Sequence, residues 1–272
     1  MKIIDSVLFK DEIFMLFLRL SIMADKVDKI IIVESNRTFS GTLKPYNLEK
    51  YWPLLFPWHD KIIYHKLVAP WPVENSWVIE NWQRNQLESC WASLDLDDND
   101  IVILNDLDEI IRPEVLENLR SSSYNWHGLH QPCFYFKFNY MATDSGYMVW
   151  SRAIRYGLSK QLIPNSWRYY THQDDNQHIN IHHAGWHWSY LMNHSMVIDK
   201  IKESSHQEFN NKDILDNVNL DKIIKSNGDL FNRQYKWDTV LLDNYFPDIV
   251  KNYPELYIKG DSFNSVKTII KS

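Results

Sequence analysis

The chain has 272 residues, 44% of them hydrophobic and 24% charged, with a formal net charge of −6. This is the composition of a globular protein of one large domain, and with no basic block a nucleic-acid partner is not expected. Two cysteines, Cys90 and Cys133, exclude a disulfide scaffold and a four-cysteine zinc site, so two buried free thiols are expected.

Residues 2–9 read as a first strand. Residues 11–23 read as a helix with Ile13, Leu16, Phe17, Leu20 and Met23 on one face. Asp5 stands where a signal peptide needs apolar residues, and residues 13–23, interrupted by Arg19, are too few to span a bilayer. A cytosolic location is the resulting expectation. Residues 29–34 form a continuous apolar run, the mark of a buried parallel strand. A polar loop with Gly41 follows over residues 35–44. Asn36-Arg37-Thr38 in that loop, and Asn193-His194-Ser195 later, match the N-glycosylation pattern, which has meaning only in a secreted protein.

Residues 62–68 suggest a third strand, and Pro70-Trp71-Pro72 breaks the chain. A long helix is expected over residues 74–94, with Leu87, Cys90, Trp91 and Leu94 packing inward. After an acidic turn at 95–100, the apolar run Ile101-Val102-Ile103-Leu104 ends abruptly in Asn105-Asp106-Leu107-Asp108-Glu109. Residues 128–142, rich in Phe and Tyr, read as strands; residues 154–163 are mixed, 169–183 polar and His-rich, and the chain turns helical from 200 onward. Strand, helix, strand, helix, strand is an α/β pattern with a mainly parallel sheet. With no linker and no repeat, 1–272 reads as a single domain. Residues 1–112 supply a nucleotide-binding half and 113–272 an acceptor-side half.

The most informative feature is the pair Asp106 and Asp108. In extended chain, residues two apart point the same way, so both carboxylates can converge just past a buried strand, where open α/β sheets bind ligands. Two such charges need compensation, and a hard divalent ion that also holds a diphosphate supplies it. The plainer reading is that acids after a strand cap the next helix, which Pro113-Glu114 begins. With seven glycines and neither a Walker loop nor Gly-x-Gly-x-x-Gly, the chain lacks backbone cradles for phosphate, which leaves that task to a metal. In an extended Ile181 to Tyr190 segment, His183 and His187 share a face, and a neutral imidazole there can be a third ligand. Twelve Trp, fifteen Tyr and twelve Phe suit stacking on sugar rings, and equally suit filling a core.

Four blocks carry a more specific signal. Ile32-Val33-Glu34-Ser35-Asn36-Arg37-Thr38-Phe39-Ser40-Gly41 with Lys44, then Asn105 through Pro113, then Ala184-Gly185-Trp186-His187, then Lys200 through Glu208, occur in the order seen in glycosyltransferase family 17, which this chain resembles over roughly residues 1–210. The resemblance implies a GT-A type, Rossmann-like α/β fold, a nucleotide-sugar donor (UDP-GlcNAc by family), Mn²⁺ or Mg²⁺, a glycan acceptor and inversion at the anomeric carbon. Metal ligation is then expected from Asp108 and Asp106, with His187 and His206 as further ligands. Glu34 and Asn36 are expected on the nucleoside, and Arg84 and Lys200 on phosphate, although Glu80, Arg84 and Glu88 at i, i+4 steps can also simply pair along one helix. Glu208, Asp174 and Asp175 qualify by type as the base. The sequence shows no membrane anchor or stem, which suits a bacterial or viral enzyme. Two competing readings are a non-catalytic carbohydrate-binding module and a phosphatase of the haloacid dehalogenase type, which also places Asp-x-Asp at a strand end.

Overall fold

Alternation along the first strands sorts their side chains onto two buried faces. Ile3, Val7, Ile30, Ile32, Ile101 and Ile103 enter one core; Ile4, Leu8, Ile31, Val33, Val102 and Leu104 enter another. A strand buried on both sides has no polar face, which is why the apolar runs are continuous. The computed structural model describes residues 1–69, 75–144, 148–170, 174–260 and 262–270.

In the first half, β1 (Ile3–Phe9) leads to α1 (Ile13–Met23), β2 (Lys29–Ser35) to α2 (Asn47–Tyr51), and β3 (Ile62–Leu67) to α3 (Ser76–Asn85) and α4 (Leu87–Ala92). Then come β4 (Ile101–Leu104), β5 (Glu109–Ile111) and α5 (Pro113–Ser121). In the second half follow β6 (Trp126–Gln131), β7 (Cys133–Tyr135), β8 (Tyr140–Ala142), β9 (Met148–Arg155), α6 (Tyr156–Ser159), β10 (His178–Ile181), β11 (Gly185–Ser189), α7 (His194–Glu203) and β12 (Trp237–Thr239).

The main sheet has the order β10-β6-β9-β4-β1-β2-β3. Strands β3, β2, β1 and β4 are parallel, and β9 runs against both of its neighbours. This is the mainly parallel α/β sheet expected from the sequence. A second sheet, β12-β8-β7-β11-β5, stands at the carboxyl end of β4. The two sequence halves interlock, since β6, β9 and β10 complete the main sheet.

Three details depart from the sequence reading. Helix α1 is buried nearly all round, including Arg19, while Phe17 lies 36% exposed. The long helix is divided at Gln86, whose N–H is shared between the carbonyls of Trp82 and Gln83 at 3.2 Å each. Its expected start at Glu74, like Pro70-Trp71-Pro72, lies outside the described residues. Both cysteines are buried free thiols, as expected.

Gly185 explains itself by register. It pairs with Ile111 across β5–β11, and a Cβ there would sit 1.9 Å from the Ile110 carbonyl oxygen. Without glycine the two strands could not approach, and His187, two residues on, would not reach the turn after β4.

Candidate active site

The chain leaves β4 at Leu104 and turns at once. Asp106 N–H donates to Glu109 Oε2 at 2.7 Å, and Glu109 N–H returns to Asp106 O at 3.1 Å. Beneath this turn lies Arg19, fully buried, bonded to both carboxylate oxygens of Asp5 at 2.7 and 2.6 Å. Its Nη1 donates to the carbonyls of Asp106, Leu107 and Glu109 at 3.3, 3.3 and 2.7 Å. Asn105 Nδ2 completes the set on Asp5 Oδ1 at 2.8 Å. A buried guanidinium must satisfy its donors, and here it does so by drawing in the carbonyls of one turn. The carboxylates of Asp106 and Asp108 then face a cavity of about 550 Å³ beyond the carboxyl ends of β1, β2 and β4.

Each aspartate meets cations. Asp106 Oδ1 accepts from Arg84 Nη2 at 2.9 Å, and Oδ2 from Arg168 Nη2 at 2.6 Å. Arg168 also grips Glu109 at 3.1 and 3.2 Å. Burial alone would raise the Asp106 carboxyl, but the two guanidiniums win and hold it well below the usual carboxylate range. Asp108 Oδ2 accepts from Lys200 Nζ at 3.1 Å, and Oδ1 lies 3.6 Å from His187 Nε2. Against burial, Lys200 and His187 lower its pKa. Burial also opposes charge on His187, yet Cys133, Asp108 and Glu109 outweigh it, and the imidazole is pushed up to about 10. Sheet register makes this meeting: His187 stands opposite Glu109 on one side and Cys133 on the other.

Several expected roles are corrected by placement. Asp106 is not the free ligand expected: each of its oxygens already accepts from a guanidinium, so its charge is compensated without an ion. Arg84 is committed to Asp106, Glu80 and Asn165, with both Nη2 protons on carboxylates, so its charge is spent within the wall and not on a phosphate as expected. His206 lines the cavity but bonds Glu208 at 2.6 Å and stands edge-on to Trp77, so it does not join Asp108 and His187. Glu34 is fully buried, accepting from Asn47 N–H at 2.6 Å, Leu48 N–H at 3.1 Å and Tyr64 OH at 2.7 Å while pairing with Lys44; it caps α2 and does not face a nucleoside. Asn36 accepts from Ala69 N–H at 2.9 Å and ties β2 to the end of β3.

The three base candidates also move away. Asp174 accepts from Asn180 N–H and Nδ2 at 2.8 and 2.9 Å, and Asp175 from Gln177 and His178 N–H at 2.6 and 2.8 Å. Both brace the turn into β10, the outermost strand of the main sheet, and do not line the cavity. Glu208 is an exposed residue behind His206, outside the lining. His183 bonds Tyr245 OH at 3.1 Å and does not line the cavity. Lys200, expected on phosphate, lines the cavity and stands on Asp108 at 3.1 Å.

The structure adds Arg168 and Glu12, which motif reading missed. Arg168 comes from the 3-10 turn Pro164–Tyr169, which carries no motif. Glu12 follows β1, and its Oε1 lies 3.5 Å from Lys200 Nζ. The rule that picked Glu34, an acid just past a strand end, would have found it.

Among the described residues, no three His, Cys, Asp or Glu side chains form a ready-made metal cage. Asp108 Oδ1 and His187 Nε2, 3.6 Å apart, remain one carboxylate and one imidazole for a divalent ion, and the imidazole, held protonated by its neighbours, ligates only on losing that proton. No helix among the described residues is long and apolar enough to cross a membrane.

The sequence model of glycosyltransferase family 17 matches residues 1–243. No curated protein matches the chain. Among solved structures, the crystal structure of S. aureus TarS 1-349 is similar at 10% identity and a TM-score of 0.42, with 83% of this chain and 78% of that chain covered.

Proposed function

The chain belongs to glycosyltransferase family 17 and is a transferase, and from that premise we propose that it moves a sugar from a UDP-linked donor to a glycan with inversion, assisted by Mn²⁺ or Mg²⁺. A non-catalytic binding module and a dehalogenase-type phosphatase both give way to the family match. The observation that carries the donor assignment is a charge inversion. In a chain of net −6, the cavity is lined by seven lysines and arginines against five carboxylates. Lys44 and Arg233 are balanced by Glu34 and Asp229 behind the wall, so the cations that can turn to a dianionic diphosphate are those around Asp106 and Asp108, where low-dielectric walls strengthen the attraction. GlcNAc as the transferred sugar rests on the family alone.

Asp108 and His187 would hold the metal, which when bound neutralises charge on the departing diphosphate. The remaining work falls to the chain. Lys200 bridges Asp108 at 3.1 Å and Glu12 at 3.5 Å, so a cation already stands between the diphosphate end and the acceptor end. Arg84 and Arg168 fix Asp106 and so stiffen the turn that presents Asp108. Of the lining carboxylates, Glu80 is taken by Arg84 and Ser205, Glu203 by Lys10, and Asp106 by two arginines. Glu12, with Lys200 at 3.5 Å, a long 3.5 Å contact from Asp11 N–H and the charge of Lys10 nearby, has the loosest partners of the lining carboxylates and is the one we assign to accept the acceptor hydroxyl proton.

Two measurements check this reading. UDP is expected to raise the melting temperature by several degrees in the presence of Mn²⁺ and much less in EDTA, as ligand linkage requires. A flat response to every nucleoside diphosphate tried would remove the donor assignment. With the donor found, Glu12→Gln is expected to lower kcat by about 10²–10⁴-fold with little change in donor KM. A rate within a few-fold of wild type returns the base to an unassigned group.

A further inference from the structure

The cavity has a second end that the donor reading leaves unused. Its wall is formed by Tyr135, Tyr190, Phe231, Arg233 and Tyr235. Asp229 fixes the Arg233 guanidinium: Nε donates to Oδ1 at 3.0 Å and Nη2 to Oδ2 at 2.7 Å. The rings of Tyr235 and Phe231 lie 4.7 and 4.9 Å from the guanidinium carbon, so the fork is clamped in plane as well.

Asp229 does not occupy the whole of this fork. Its carboxylate also accepts from Phe231 N–H at 2.8 Å, Arg233 N–H at 3.1 Å and Trp237 Nε1 at 3.1 Å. Five donors share the two oxygens of this carboxylate, so Asp229 balances the guanidinium in charge but does not engage all of its N–H groups. Nη2 spends its other proton on Tyr135 OH at 3.3 Å, and no described residue engages Nη1. Backbone strain lies at and just behind this wall: Tyr190, which lines it, and Phe136, packed against Tyr135 and Tyr190, hold φ of 55° and 62°, positions that bulky side chains rarely adopt. Such outliers persist only where the surroundings over-determine them, as at ligand sites.

We propose that this end of the cavity is the acceptor subsite for a sugar carrying an anionic substituent, a carboxylate or a phosphate, with Arg233 Nη1 donating to the anion and Tyr235 flanking the ring. The assignment rests on the glycosyltransferase reading for the word acceptor, but its chemistry is independent of the donor. A pinned planar fork beside aromatic faces suits a planar anion attached to an apolar ring face, better than it suits a neutral hydroxyl.

The test is a binding comparison in solution. Wild-type protein is saturated with UDP and Mn²⁺, so that the cations around Asp106 and Asp108 are filled. It is then titrated with methyl β-glucuronide, glucose 6-phosphate and methyl β-glucoside, followed by saturation-transfer NMR. At least one of the two anions is expected to bind about tenfold or more tightly than the neutral glucoside, and which one does so separates carboxylate from phosphate. Arg233→Gln is expected to erase the preference and Arg233→Lys to keep part of it. Equal binding of all three by wild type, which needs no variant, overturns the proposal, as does a preference that survives Arg233→Gln. The UDP-dependent melting shift of the same samples reports on the donor reading separately: its absence with the Arg233-dependent preference intact would remove the donor and leave the anion site.

Discussion

Asp108→Ala is expected to lower transfer by about 10³-fold or more while leaving the chain folded. Removing several kcal/mol of charge stabilisation at a leaving diphosphate costs a decade of rate for every ~1.4 kcal/mol. Asp108 is also the one group that both His187 and Lys200 approach, so its loss scatters the three side chains nearest the departing charge. The effect on stability is small by comparison, because Lys200 keeps Glu12 at 3.5 Å and remains partly solvated. Asp106→Ala differs in kind: it leaves the buried guanidiniums of Arg84 and Arg168 short of an anion, so it lowers stability together with activity. The two variants are compared by transfer rate and by urea midpoint. An Asp108→Ala protein that transfers at the wild-type rate removes that carboxylate from the chemistry.

Arg19→Met is expected to cost about 3–5 kcal/mol, the usual effect of stripping one partner from a buried ion pair. Asp5, fully buried, would keep only Asn105 as a side-chain donor. The double change Asp5→Leu with Arg19→Met removes the stranded charge and is expected to recover much of that stability in urea denaturation. Activity is not expected to return with it, because the carbonyls of Asp106, Leu107 and Glu109 still lack the donor that shapes their turn. A double variant as active as wild type would show that the turn holds its form unaided.

The fold was legible because parallel strands must be apolar on both faces, and runs such as Ile30-Ile31-Ile32-Val33 have few other uses. Asp106 and Asp108 were legible for the related reason that acids directly after such a run sit where the sheet ends. What failed was direction. Glu34 also ends a strand, but the loop that follows brings the start of α2 back onto it, and its oxygens turn to those N–H groups. Asp174 and Asp175 have the right chemistry for a base, yet the chain carries them to the outer edge of the sheet. Arg168 was invisible because an arginine 62 positions from Asp106 leaves no local pattern. The resemblance blocks carry both His187 and Lys200, which the fold brings to Asp108, but they could not say that a lysine would stand on Asp108 or that arginines would occupy Asp106.

The polar chain from Ser151 through Glu109, Arg168, Asp106, Arg84 and Glu80 to Ser205 draws on five separate stretches of sequence. Grafting the Asp-Leu-Asp tripeptide alone onto a foreign scaffold would therefore transplant the acids without their counterweights. Evolution faces the same bookkeeping, so a drift at Arg168 is tolerable only with a matching drift at Asp106 or Glu109. Related chains should change these positions in concert, and lineages that have lost one of them should have lost the others.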